Sequence, residues 1–165
     1  MTRAFLGLGS NLGDRLSYLR AASRALDKGP RTRVVVASKV YETAPVEVEE
    51  AQPDYLNCVV ELECGLSATE LLRYCQGIEA ALGRESKGEK APRTLDIDVL
   101  LFGNEAIAEP DILVPHAGVV RTFNLRGLAD LDAELYIPGR GTVRELLAQA
   151  EAGGIRTFGG AEELC

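Results

Sequence analysis

Residues 92–102 read PRTLDIDVLLF, and this stretch predicts a buried β-strand that carries two acids. The run to Phe102 is rich in apolar and β-branched residues, and it ends at the turn signal Gly103-Asn104. Asp96 and Asp98 interrupt it. Because side chains alternate between the two faces of a strand, these carboxylates lie on the same face, about 6.5–7 Å apart.

Two acids on one face of an apolar strand have two interpretations. An edge strand whose polar face meets water is the ordinary explanation of an isolated Asp-x-Asp. A divalent cation such as Mg²⁺ is the other, because a buried unpaired carboxylate is costly and hard cations prefer oxygen ligands. The remainder of the chain favours the cation.

Composition and length limit the class of protein. The 165 residues suit one domain, residues 1–165, with a single core, and 46% of them are hydrophobic. The net charge of −7 argues against a nucleic-acid partner. Four cysteines without a C-x-x-C pair and one histidine argue against a zinc site. No run approaches the roughly 18 apolar residues of a membrane span. We expect a cytoplasmic monomer with no membrane partner.

The order of predicted elements is β-α-β-β-α-β, followed by an αβ extension. Strands are predicted at residues 3–8, 33–41 and 55–62 and in the acidic stretch, and helices at 15–27 and 67–82. This order is typical of the α+β class, as a ferredoxin-like core whose antiparallel sheet has its helices on one face.

The predicted extension contains shorter elements. They are a strand at 112–114, a helix at 119–131 and a helix that a capping box opens at 142–145. The glycine-rich, acidic tail from about residue 153 is predicted to be loosely held.

Basic residues recur at every third position ahead of the acidic strand: Arg84, Lys87, Lys90 and Arg93, with Arg121 as a further candidate. In an acidic protein this local excess indicates a phosphate site, because arginine and metal together neutralise phosphoryl charge. A solvated loop balanced by Glu85 and Glu89 is the alternative.

Two more segments indicate ligand contacts. Residues 41–46 and 52–57 place tyrosines and Asn57 beside a polar loop, which suits a flat polar heterocycle, although such tyrosines are often core residues. His116 follows a predicted strand end and is a candidate hydrogen-bond donor to phosphate, although a lone histidine is usually a packed or surface residue.

Taken in order, six segments resemble a known family: GSNLG at 9–13, YETAPV at 41–46, QPDYLN at 52–57, GR at 83–84, APRTLDID at 91–98 and VPH at 114–116. The family is 6-hydroxymethyl-7,8-dihydropterin pyrophosphokinase, an enzyme of folate biosynthesis. The resemblance covers about residues 4–150.

The resemblance implies that ATP donates its β,γ-pyrophosphate to the hydroxymethyl oxygen of the pterin and that AMP leaves. It implies that Asp96 and Asp98 hold two Mg²⁺ ions and that Arg84 and Arg93 act with them in catalysis. The implied ATP contacts are Gln76, Arg84, Lys87, Lys90, Arg93, His116 and Arg121. The implied pterin pocket is Thr43, Pro45, Val46, Tyr55, Asn57 and Phe123, with Tyr55 and Phe123 on the two ring faces.

The sequence also departs from the commonest pattern of that family. The basic loop is one residue shorter, with Lys87, Lys90 and Ala91 in place of further arginines and a tryptophan, and the segment 116–121 is one residue short. A non-catalytic ligand-binding module and a metal-dependent nuclease remain as alternatives. The first leaves the two aspartates without a purpose, and the acidic balance argues against the second.

Overall fold

The structure is a computed structural model that describes residues 1–44, 53–82, 95–151 and 153–164. Its strands are β1 (Thr2–Ser10), β2 (Thr32–Ala37), β3 (Val40–Thr43), β4 (Tyr55–Cys64), β5 (Asp96–Phe102), β6 (Ile107–Glu109), β7 (Ile112–Val114), β8 (Tyr136–Ile137), β9 (Gly141–Thr142) and β10 (Ile155–Gly159). Its helices are α1 (Arg15–Asp27), α2 (Ala68–Ala81), α3 (Thr122–Asp132) and α4 (Val143–Gln149). The α+β class is confirmed.

The main sheet is antiparallel, in the order β10-β3-β4-β1-β5, and β2 also pairs with β4. Strand β1 therefore lies inside the sheet between β4 and β5, and β5 is an edge strand among the described residues. Since β5 carries Asp96 and Asp98, the acids lie at one edge of the sheet.

Alternation along β1 divides the core into two layers. Ala4, Leu6 and Leu8 face α1 and α2, whereas Phe5 faces the cluster that includes Leu125 of α3 and Val143 of α4. The two helices of the predicted β-α-β-β-α-β core thus share one face, as expected. The helices of the extension cover the opposite face, which the order of elements alone did not specify.

The predicted strand 33–41 is wrong as a single element, because it is two strands separated at Ser38 and Lys39. The N–H of Ser38 donates to the carbonyl of Val59, and its hydroxyl accepts from the N–H of Val59, both at 2.8 Å. The serine hydroxyl replaces a backbone acceptor there, so β2 and β3 pair with different parts of β4.

The tail differs from its prediction as well. Residues predicted to be loosely held form β10, which pairs with β3, and a 3₁₀-helix at Ala161–Leu164. The side chain of Leu164 is buried against the first helical layer, and Arg20 donates to the carbonyl of Glu163. Burial of one leucine and pairing with an open strand edge outweigh the glycine content of this segment.

Local signals located the helix starts of α2 and α4 correctly. Capping boxes are formed by Ser67 with Glu70 and by Thr142 with Glu145. Helix α3 begins at Thr122 rather than at 119, because Val119 and Arg121 donate their N–H groups to the carbonyls of His116 and Gly118 in two successive turns. Among the described residues, no helix has the length and apolar composition needed to cross a membrane.

Candidate active site

Gly7 and Gly9 of β1, here called the glycine floor, carry no side chain on the face of the sheet that carries the acids. Gly9 lies opposite Asn57 of β4 and opposite Asp96 of β5, and Gly7 lies opposite Asp98. A Cβ added to Gly9 would lie 2.8 Å from Oδ1 of Asn57. The polar side chains of β4 and β5 therefore face each other across backbone alone. The sequence pattern assigned Gly7 no role and Gly9 only a place in the GSNLG segment, although glycines two apart in an apolar strand could have indicated this floor.

One side of the floor carries a small polar cluster. The Asn57 amide donates to Oγ1 of Thr43 at 2.7 Å, and both side chains are buried. Thr43 lies opposite Tyr55 in the β3–β4 pair. The structure thus brings together three of the residues predicted to contact a heterocycle, with Oδ1 of Asn57 directed towards Gly9. Pro45 and Val46, predicted for the same pocket, lie outside the described residues.

Tyr41 belongs to the core rather than to this cluster. Its hydroxyl donates to Oδ2 of Asp130 at 2.7 Å, and the Arg126 guanidinium lies 5.1 Å from its ring centroid. Burial raises the pKa of Tyr41, and the bond to Asp130 raises it further. The alternative interpretation of this tyrosine, a core residue, is therefore the correct one.

A side chain of α2 is hydrogen-bonded to the β5 backbone between the two acids. Ile97, between them, points its side chain into the layer of α1 and α2, and its N–H donates to the buried carboxylate of Glu79 at 2.8 Å. The sequence pattern gave Glu79 no role. Its spacing of four from the buried Cys75 could have indicated a buried acid, since such residues share a helix face.

His116 lies beside Asp98, with Nε2 of the imidazole 3.5 Å from Oδ1 of the carboxylate. The backbone N–H of His116 donates to the carbonyl of Leu100 on β5, and its Nδ1 accepts from the N–H of Gly118. Arg121 is exposed, and its Nε would lie 3.5 Å from a Cβ placed on Gly118. Two predicted phosphate contacts therefore stand at the end of the acidic strand.

A cavity of about 270 Å³ opens beyond Asp98. Apolar side chains from α2, β5 and β7 form most of its wall, and Asp98, His116 and Asp111 supply its charged or polar groups. Gln76, predicted near the nucleotide, is exposed on α2 and is not among the lining residues, whereas Leu72, one turn earlier, is. The predicted basic residues Arg84, Lys87, Lys90 and Arg93 lie outside the described residues.

Phe123, predicted to stack on a heterocycle, is partly buried in the first turn of α3.

Within the described ranges, no group of three or more histidine, cysteine, aspartate or glutamate side chains is placed to hold a metal ion. Asp96 and Asp98 therefore offer two carboxylates, and any further ligands of a bound cation would come from elsewhere.

A known protein family matches most of the chain. The family model of 7,8-dihydro-6-hydroxymethylpterin-pyrophosphokinase (HPPK) matches residues 5–133. The chain belongs to this family. The resemblance predicted from the six sequence segments is thereby confirmed, and with it the assignment as a pyrophosphokinase of folate biosynthesis.

Curated relatives support the same assignment over nearly the whole chain. A 2-amino-4-hydroxy-6-hydroxymethyldihydropteridine pyrophosphokinase of Methylorubrum extorquens is 41% identical over 156 residues, which are 94% of this chain and 98% of that protein. The protein of the same name from Pseudomonas aeruginosa is 38% identical and covers 96% of this chain and 98% of its own length.

Solved structures show the same fold at low sequence identity. An HPPK-DHPS crystal structure in complex with substrates has a TM-score of 0.75 at 12% identity and covers 94% of this chain. Wild-type HPPK-DHPS of Plasmodium falciparum has a TM-score of 0.71 at 15% identity and covers 90% of this chain. This chain spans 46% and 44% of those two longer chains.

Proposed function

We propose that this protein transfers the β,γ-pyrophosphate of ATP to the hydroxymethyl oxygen of 6-hydroxymethyl-7,8-dihydropterin, in a reaction that depends on Mg²⁺. Membership of the family implies ATP as the co-substrate. The observation that carries the residue assignments is the glycine floor, which separates the amide of Asn57 from the carboxylates of β5.

The pterin half of the site is proposed to lie over Gly9 and beside Asn57. A flat ring fits above backbone that carries no side chain, and Thr43 and Asn57 provide amide and hydroxyl groups for its polar edge. Tyr55 and Phe123 would contact the two ring faces, where offset aromatic contacts are favourable. Pro45 and Val46 remain proposed members of this pocket.

The nucleotide half is proposed to be the cavity beyond Asp98. Its apolar wall suits the base of ATP, and His116 and Arg121 stand at the end where phosphates would meet the acids. Arg84, Arg93, Lys87, Lys90 and Gln76 remain proposed ATP contacts. Positive side chains there would neutralise charge on the transferred group.

Asp96 and Asp98 are the proposed ligands of two Mg²⁺ ions. A pair of carboxylates fits this cation, which commonly takes one or two carboxylates and completes its shell with water and phosphate. When bound, Mg²⁺ would supply electrostatic stabilisation of the phosphoryl oxygens. The side chain of Asp98 is 48% exposed, so it is accessible to a ligand.

The proposed reaction needs no protein nucleophile. A bond forms between the hydroxymethyl oxygen and the β-phosphorus, the bond from that phosphorus to the oxygen of the α-phosphate breaks, and AMP leaves with the bond's electron pair. The hydroxyl loses its proton, and no side chain is assigned as its acceptor. The residues of this chain act by orienting the two substrates and by countering their charge.

Four wider assignments accompany this proposal. The strand order β3-β4-β1-β5, with α1 and α2 on one face, supports the ferredoxin-like description of the core. Residues 1–165 are proposed to act as one domain. The monomeric state and the cytoplasmic location stay predictions from the sequence.

The direct test is to incubate the protein with ATP, Mg²⁺ and the hydroxymethyl pterin and to separate the nucleotides. AMP that forms only with pterin present, and not after chelation of the metal, supports the proposal. Formation of ADP, or hydrolysis of ATP without pterin, would overturn it.

A further inference from the structure

Asn124 of α3 is a buried polar residue to which the proposed reaction gives no task. The residue is 6% exposed, and its side chain lies between Gly7 of the floor and the turn at 116–121. Its Oδ1 would be 3.3 Å from a Cβ placed on Gly7, and its Nδ2 donates to the carbonyl of Gly118 at 2.8 Å. A buried amide with a defined partner fixes the geometry of that partner.

Gly118 connects this amide to both predicted phosphate contacts. Its carbonyl accepts from Asn124 and also from the N–H of Arg121, at 3.1 Å. Its own N–H donates to Nδ1 of His116 at 2.9 Å. Gly118 therefore takes part in the placement of His116 through its N–H, and in that of Arg121 and the Asn124 side chain through its carbonyl.

The hydrogen bond from the Gly118 N–H to Nδ1 selects the tautomer of His116. Because Nδ1 accepts from the N–H of Gly118, the neutral imidazole carries its proton on Nε2. Nε2 is the nitrogen that lies 3.5 Å from Oδ1 of Asp98. The backbone bond from His116 to Leu100 ties the turn to the acidic strand, so the donor faces the site.

We propose that Asn124 is a positioning residue for the nucleotide half of the site, acting through Gly118 on His116 and Arg121. The inference rests on the proposed function for the role of those two residues. Asn124 follows Phe123, a proposed pterin contact, in α3, yet its hydrogen bond is made to the turn on the nucleotide side. Substitution of Asn124 is therefore expected to change the KM for ATP rather than the KM for the pterin.

Kinetics of Asn124→Ala and Asn124→Asp test this division. An aspartate is similar in size, but its carboxylate cannot donate to the Gly118 carbonyl. We expect both variants to raise the KM for ATP by about tenfold and to change the KM for the pterin by less than about twofold. An equal rise for both substrates, or an aspartate variant that behaves as the parent protein does, would overturn the proposal.

Thr122→Ala is the matched control. Thr122 lies on the same helix, and its hydroxyl donates to the carbonyl of Glu151, away from the turn. Leu128→Val, in the buried layer of α3, controls for loss of stability alone. Both should leave the KM for ATP within about twofold of the parent value, because neither touches Gly118.

A mutant cycle separates positioning from general damage. In a background that carries both His116→Ala and Arg121→Ala, the effect of Asn124→Ala on the KM for ATP should fall to about twofold or less, because both positioned groups are gone. Full additivity of Asn124→Ala with this background would show that Asn124 acts by another route and would overturn the proposal.

Hydrogen exchange of the Gly118 amide in the ligand-free protein gives a readout without turnover. The exchange should be slow in the parent protein and in Thr122→Ala, and at least about tenfold faster in Asn124→Ala. Unchanged exchange in Asn124→Ala would overturn the inference. Since this measurement uses no substrate, its outcome is independent of whether the AMP assay supports the proposed reaction.

Discussion

The carboxylate of Glu79 accepts the N–H of Ile97 at 2.8 Å, and this bond joins helix α2 to the strand between the two site acids. Strand β5 is an edge strand among the described residues, and the outward N–H of Ile97 donates to a side chain rather than to another strand. The backbone between Asp96 and Asp98 is thus hydrogen-bonded to Glu79, a core residue that is 6% exposed.

Replacement of Glu79 should separate the hydrogen bond from the charge. Glu79→Leu leaves the Ile97 N–H without this acceptor and should lower the free energy of unfolding by about 1–3 kcal/mol. Glu79→Gln keeps an oxygen acceptor and should lose less. Urea unfolding of both variants measures the difference, and equal losses would show that the charge rather than the bond is important.

Removal of either site acid should abolish turnover without unfolding the protein. Asp96→Ala or Asp98→Ala is expected to reduce kcat by about a hundredfold or more. Each change removes a proposed Mg²⁺ ligand, and the metal would counter the charge on the transferred phosphates. Thermal unfolding should stay near that of the parent. Glu63→Ala, which removes a half-exposed strand acid paired with Arg33, is the control and should keep full activity. A fully active Asp96→Ala, Asp98→Ala double variant would contradict the metal assignment.

A methyl group on the floor should interfere with the pterin. In Gly9→Ala the new Cβ would lie 2.8 Å from Oδ1 of Asn57, so the amide must move, at a cost of about 1–3 kcal/mol. Titration calorimetry should show weaker pterin binding and unchanged ATP binding. Gly77→Ala is the control, since a Cβ there meets no atom within 4 Å and helix propensity favours alanine. Equal weakening for both ligands in Gly9→Ala would argue against a pterin floor.

Acid should weaken the junction between the C-terminal strand and the rest of the sheet. Arg156 and then Arg15 hydrogen-bond to Glu42, at 2.7 and 2.8 Å, and they lower the pKa of its carboxyl from the ordinary 4.5. A carboxyl whose pKa is lower in the folded state contributes stability above its unfolded pKa and loses it as the pH falls through the folded value. The window is therefore below about pH 4.5.

Glu42→Gln should make the unfolding midpoint less dependent on pH within this window, whereas Arg33→Ala, at an exposed ion pair, should not. The measurement is urea unfolding at a series of acidic pH values. Parallel pH profiles for the parent and Glu42→Gln would show that this carboxyl titrates alike in the folded and unfolded chain.

Features that depend on local geometry could be predicted without the fold. The shared face of Asp96 and Asp98 follows from the two-residue period of a strand, and the starts of α2 and α4 follow from capping boxes whose bonds close within four residues. The pairing of Thr43, Tyr55 and Asn57 was accessible because two short motifs lie on adjacent strands.

Features that depend on residues distant in the sequence could not be predicted without the fold. Ser38 ends a strand only because Val59 is opposite it, and Ile155–Gly159 forms a strand only because β3 offers an edge. Asn124 bonds to Gly118, Gly118 bonds to His116, and His116 lies beside Asp98, and tertiary packing brings these residues together. Strand periods and helix caps are local, so they identified in advance the groups that could take part in the chemistry. The buried residues that hold those groups emerged with the folded chain, because a hydrogen bond between distant residues leaves no local pattern.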